Sequence, residues 1–175
     1  MKFNYVEGKK GDKAEKEEKT EKIEKNTKKG AASEKQAKEE KVYIIPLGGM
    51  EEVGKNMTAF QYKDEIVIVD AGLTFPEDEH LGIDVIIPDF TYLENNKDKI
   101  KSLLLTHGHE DHIGAIPYLF QKLGSTDITI YGGKLTLELA KAKFEKKDAV
   151  IPKMKVVKGR TKLKLSKYFS VEFIS

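Results

Sequence analysis

The chain has 175 residues, a formal net charge of +2, 34% charged residues and no cysteine. Disulfides and thiolate metal ligands are thereby excluded, and so small a net charge names no partner. No apolar run approaches the roughly 20 residues of a membrane span, and no apolar segment follows the lysine-rich start, so a soluble cytoplasmic protein is expected.

Residues 1–41 hold thirteen lysines and ten acidic residues with very few apolar ones. Such a segment cannot bury enough surface to offset its ordering entropy. A disordered charged tail is expected there, leaving 42–175 as the part able to form a core. Glu15 and Lys19, Glu18 and Lys22, Glu21 and Lys25 stand four apart and can support a transient exposed helix. The tail reads either as a spacer or as a weak RNA-contacting arm through Lys9-Lys10 and Lys28-Lys29.

Residues 42–47 read as a buried strand followed by a Gly48-Gly49 turn. Two further strands, 56–62 and 65–70, flank Lys63-Asp64 in a hairpin. Asp70 ends the apolar run Ile66-Val67-Ile68-Val69, and a carboxylate at the end of a buried strand needs a partner, unless it is a simple turn residue. Residues 75–90 form a long acidic, proline-punctuated loop, either solvated or able to hold a hard cation beside Gly82. His80, isolated within it, reads as surface.

A short helix or turn over 92–99 leads into a strand at 100–105. An apolar helical face follows from Ile113 to Leu123, which Pro117 should bend or shorten. A strand at 127–131 precedes an amphipathic helix at 135–147 with Leu135, Leu137, Leu139, Ala140 and Phe144 inward. Closing strands are expected at 154–157, 161–165 and 168–174. Lys153, Lys155, Lys158, Arg160, Lys162 and Lys164 give this end a basic face, suited to an RNA backbone or simply solvated.

The chemistry concentrates between the strand at 100–105 and the next helix. Three of the four histidines fall within Thr106-His107-Gly108-His109-Glu110-Asp111-His112. Imidazole and carboxylate are catalytic-zinc ligands, and such a site needs several converging. Leaving a strand in extended backbone, His107 and His109 project to the same side, with Gly108 sparing the approach a side chain. Asp111 and His112, in the first turn of the helix, can face a second position roughly 3.5–4 Å away, the spacing of two-metal hydrolases. Glu110 should point away from both. The alternative is Asp111 as a helix N-cap among solvated histidines.

This stretch resembles the signature of the metallo-β-lactamase superfamily. The flanking blocks Gly48-Gly49-Met50-Glu51-Glu52-Val53-Gly54-Lys55-Asn56-Met57, Val69-Asp70-Ala71-Gly72-Leu73-Thr74-Phe75-Pro76 and Leu81-Gly82-Ile83-Asp84 resemble the ribonuclease J family within its β-CASP group, and Tyr131-Gly132-Gly133-Lys134-Leu135-Thr136 continues the register. The resemblance implies an α/β chain, the N-terminal half of an αβ/βα metallo-β-lactamase fold. It implies zinc, two ions per complete site, on His107, His109, Asp111 and His112. It gives Asp70 an orienting role beneath them, and the Gly82 carbonyl and Asp84 a calcium position. It also implies 5′-exonucleolytic and endonucleolytic cleavage of RNA in RNA maturation and decay, by a homo-oligomer at full length.

Two four-coordinate ions need more protein ligands than these four residues, and the family's later motif residues and inserted domain do not occur in the sequence. The chain is therefore expected to be an N-terminal piece of such a nuclease, inactive by itself. Two alternatives stand beside this. One is a hydrolase of the same fold for another substrate, such as a thioester or lactone, against which the Gly48 and Phe75 blocks speak. The other is a non-catalytic module that binds metal or RNA.

Overall fold

The structure is a computed structural model that describes residues 2–5, 40–77, 81–124, 127–147 and 149–174, with backbone only for the first of these segments. A six-stranded sheet runs in the order β2 (Val42–Gly48), β3 (Met57–Tyr62), β4 (Glu65–Val69), β5 (Ile100–Leu104), β6 (Thr129–Gly132) and β7 (Met154–Val156). Pairing is antiparallel from β2 to β4 and parallel from β4 to β7. A second, antiparallel sheet orders β1 (Lys2–Tyr5), β9 (Phe169–Glu172) and β8 (Lys162–Lys164).

Side-chain alternation explains why β4 and β5 lie in the middle. Ile66, Ile68, Leu103 and Leu105 belong to one apolar cluster, which takes in α3 (Ile116–Leu123) and α4 (Lys134–Lys146). Val67 and Leu104 point the other way, into a cluster with Tyr62, Phe169 and Val171 of the second sheet. Strands covered on both faces read as unbroken apolar runs, as these do. The parallel strands β4 and β5 therefore end at one rim, and the chemistry-bearing loops leave from there.

Several sequence expectations need correcting. The strand at 42–47 is formed, but Val42, Tyr43 and Ile44 are more than half exposed; β2 is the edge of the sheet, so neither face is fully covered. In α4, Leu137, Ala140 and Phe144 are buried whereas Leu135 and Leu139 are exposed. The latter lie two residues on either side of Leu137, some 200° round the helix. Of the two effects expected of Pro117, bending is absent and shortening is found: α3 begins only at Ile116, with Pro117 in its first turn, where its absent N–H costs nothing. Most of the expected disordered tail falls outside the described residues. Lys2–Tyr5 depart from it as a strand, Phe3 pairing with Val171 and Tyr5 with Phe169, because the open side of β9 offers unpaired backbone groups. The hairpin at Lys63-Asp64 is as expected. Among the described residues, no helix is long and apolar enough to cross a membrane.

Candidate metal centre

The loop after β4 and the loop after β5 are stitched together by backbone hydrogen bonds. Asp70 N–H donates to the Leu104 carbonyl, Ala71 N–H to His112, Leu73 N–H to Glu110 and Ala115 N–H to Ala71, all between 2.8 and 3.1 Å. Asn56 N–H joins them through the Asp111 carbonyl at 3.0 Å. Gly72 makes so close an approach possible, since a Cβ there would stand 1.6 Å from the Asp111 carbonyl oxygen. The backbone of the histidine loop is thus located by the neighbouring loop.

Within this frame the four side chains named from the sequence come together in two pairs. His107 Nε2 lies 3.1 Å from His109 Nδ1. His112 Nε2 lies 3.4 Å from Asp111 Oδ2. The rings of His107 and His112 lie tilted at 49° with centroids 4.0 Å apart, which brings the pairs side by side. Two nitrogens on one tetrahedral ion at bond lengths of about 2.0–2.1 Å stand about 3.3 Å apart. Each pair has that spacing. Among the described residues, no three His, Asp or Glu side chains converge as ligands of one ion. The donor set therefore fits metal two ligands at a time, with further ligands needed for each ion.

Asp70 lies beneath the pairs, 4% exposed and with φ at +59°, a left-handed conformation that aspartate tolerates better than most residues. Its Oδ1 accepts the Thr106 N–H at 2.8 Å. Its Oδ2 takes the Thr106 hydroxyl and His112 Nδ1, each at 2.7 Å. A carboxylate in this position orients an imidazole and sets which nitrogen is free to ligate.

Asn56, which sequence reasoning passed over inside the Gly48 block, is also part of the site. Its amide nitrogen is 3.1 Å from Asp111 Oδ2 and 3.3 Å from His112 Nε2. No spacing rule marks such an asparagine, because its contact is 55 residues away in sequence.

Glu110 turns away, as expected, and pairs with Lys143. The N-cap reading of Asp111 fails: α2 (Glu110–Ile113) starts one residue earlier, and His109 holds the capping position. Gly108 serves packing more than metal approach, since a Cβ there would meet Leu139 Cδ1 at 2.6 Å. Gly82 and Asp84 are exposed on the acidic loop. Asp84 lines a cavity of about 360 Å³ with Phe75, Glu110, Tyr118 and Lys143, whose lining includes none of the three imidazoles. His80 lies outside the described residues. All six basic residues of the 153–164 segment are exposed, with Lys155 near the Tyr131 ring and Lys162 3.7 Å from Glu172.

Burial, and then the charges His112 and His109 would carry, hold His107 below the ordinary imidazole range. The neutral form is the one favoured by folding, so this contribution to stability is full above the unfolded value near 6.5 and is lost as pH falls through the folded value. An NMR titration of the metal-free chain is expected to give His107 a midpoint below that of an unstructured histidine. A midpoint at or above about 6.5 would contradict the packing described for this ring.

The metallo-beta-lactamase superfamily model matches residues 50–161. Ribonuclease J 1 of Streptococcus pyogenes is 50% identical over 108 residues, covering 62% of this chain and 19% of that protein. Ribonuclease J of Synechocystis sp. is 46% identical over 133 residues, 75% of this chain and 20% of that protein. The chain thus spans about a fifth of the length of these relatives. Among solved structures, the metallo-beta-lactamase fold protein YhfI from Bacillus subtilis aligns with a TM-score of 0.48 and 21% identity, over 74% of this chain and 51% of that one.

Proposed function

We propose, for a chain that belongs to the metallo-beta-lactamase superfamily on its ribonuclease J branch, that the imidazole–carboxylate cluster is the part this region contributes to a two-metal ribonuclease centre. The superfamily implies divalent metal binding. The observation that carries the reading is the pairing of His107 with His109 and of Asp111 with His112 at ligand spacing, on the rim where β4 and β5 end. In open α/β sheets that end of the strands is where ligands bind.

Zinc suits two imidazoles, or an imidazole and a carboxylate, better than magnesium or calcium does. Bound there, it would supply Lewis-acid activation of water and of phosphoryl oxygens. The chain's own part is positional. His107 and His109 hold one ion, and Asp111 and His112 the other. Asp70 keeps His112 in one orientation, and Asn56 steadies the Asp111 carboxylate. RNA as substrate, exonucleolytic and endonucleolytic cleavage, action in RNA maturation and decay, a cytoplasmic place and a homo-oligomeric state rest on likeness to ribonuclease J. The calcium position at Gly82 and Asp84 rests on resemblance alone. For this chain by itself we expect ion binding without turnover, because neither pair has a third ligand among the described residues.

The test sets this chain beside a polypeptide of the relatives' full length, each given zinc and a 5′-labelled RNA. Cleavage by the longer protein is expected to fall by at least about 10³-fold in His109→Ala, since removal of a metal ligand removes the chemistry. A longer protein that hydrolyses a thioester or lactone and leaves RNA intact would overturn the substrate assignment.

A further inference from the structure

We propose that Thr106 is a positioning residue whose hydroxyl carries the hold of Asp70 across to His107, so that one buried carboxylate sets the tautomer of an imidazole in each ligand pair. The consequence for metal rests on the reading above; the tautomers do not.

Proton accounting gives the assignment. As a carboxylate, Asp70 only accepts hydrogen bonds. Both groups at 2.7 Å from Oδ2, the Thr106 hydroxyl and His112 Nδ1, must therefore donate. A hydroxyl has one proton, and that of Thr106 is committed to Asp70, where the charge makes the stronger bond. Its oxygen can then only accept, and His107 Nδ1, 3.0 Å away, must be the donor. His107 and His112 are both protonated on Nδ1, and both present an Nε2 lone pair. A separate contact checks the second case. Asn56 Nδ2, which can only donate, lies 3.3 Å from His112 Nε2.

The geometry that allows this is local. Thr106 is the second residue beyond β5, its N–H tied to Asp70 Oδ1 at 2.8 Å, so the backbone and hydroxyl grip the two carboxylate oxygens separately. Asp70 reaches His112 directly and has only the threonine between it and His107. A threonine that did no more than satisfy a buried carboxylate would leave the His107 tautomer free. That difference is measurable.

The experiment is long-range proton–nitrogen NMR on the full 175-residue chain, freed of metal by a chelator, at about pH 8, where free imidazole is neutral. His107 and His112 are both expected as the Nδ1-protonated tautomer. In Thr106→Val, nearly the same shape without the hydroxyl, His107 is expected to shift to a mixture while His112 stays as it was. Thr106→Ser is expected to restore the single form. Zinc affinity, by competition with a chromophoric chelator, is expected to drop about tenfold in Thr106→Val and recover in Thr106→Ser. A wild-type His107 protonated on Nε2 would overturn the proposal without recourse to any variant, and so would a His107 tautomer indifferent to Thr106→Val. Correct tautomers in a chain that binds no zinc would leave the proposal standing and remove the metal reading instead.

Discussion

Gly72→Ala is expected to lower the stability of the chain by about 3 kcal/mol or more, although it adds only one methyl group. The new carbon would stand 1.6 Å from the Asp111 carbonyl oxygen, 2.1 Å from its carbonyl carbon and 2.8 Å from the His112 nitrogen. All three are backbone atoms, so no side chain can turn aside. Relief requires the two loops to part, which breaks the hydrogen bonds from Ala71 to His112 and from Leu73 to Glu110. Asp111 and His112 would move with their backbone, so zinc binding should fail together with stability. Gly108→Ala is the control, because its clash is with the flexible end of Leu139 and should cost far less. Urea unfolding monitored by circular dichroism gives both values. Equal midpoints for the two variants would show that the loops are not held as described.

Asp70→Ala should be comparably severe for a different reason. It leaves the Thr106 N–H, the Thr106 hydroxyl and His112 Nδ1 without their acceptor, and each donor so orphaned costs about 1–3 kcal/mol when burial is complete. Exposure of Thr106 and partial exposure of His112 let water take up part of this loss and bring the expected total to about 3 kcal/mol, while alanine gains nothing from a left-handed backbone that aspartate tolerates better. Asp70→Asn separates charge from size. An amide offers one oxygen, so it cannot accept from Thr106 N–H on one side and from two donors on the other. Its stability loss should be smaller than that of Asp70→Ala, while zinc affinity still falls about 10–100-fold. Calorimetric zinc titration and thermal unfolding of the two variants check this. Unchanged affinity in Asp70→Asn would mean that His112 is oriented by packing alone.

Much of the site could be read from residue types and spacing, and its surroundings could not. His107, His109, Asp111 and His112 lie within six positions, and a strand end before a helix leaves them few ways to diverge. The unbroken apolar runs Ile66 to Val69 and Leu103 to Leu105 likewise announced strands. The contributions of Asn56 and Thr106 depend on which loops meet, and Gly72 matters because of an oxygen 39 positions further along the sequence. Edge and centre are also tertiary properties, so Val42 and Ile44 looked like core and lie on an open edge. Leu135 and Leu139 misled because leucine content was read in place of helical angle. In the tail, Phe3 and Tyr5 were outweighed by the surrounding lysines, yet their backbone pairs with β9.

The claim on which the rest depends is that two pairs of donors face two cation positions at the end of β4 and β5. Anomalous scattering at the zinc edge, from crystals of a relatives'-length protein grown with zinc, tests it directly. One peak is expected within about 2.2 Å of His107 Nε2 and His109 Nδ1, and a second within the same distance of Asp111 Oδ2 and His112 Nε2. Zinc bound elsewhere, with these four side chains touching no ion, would contradict it.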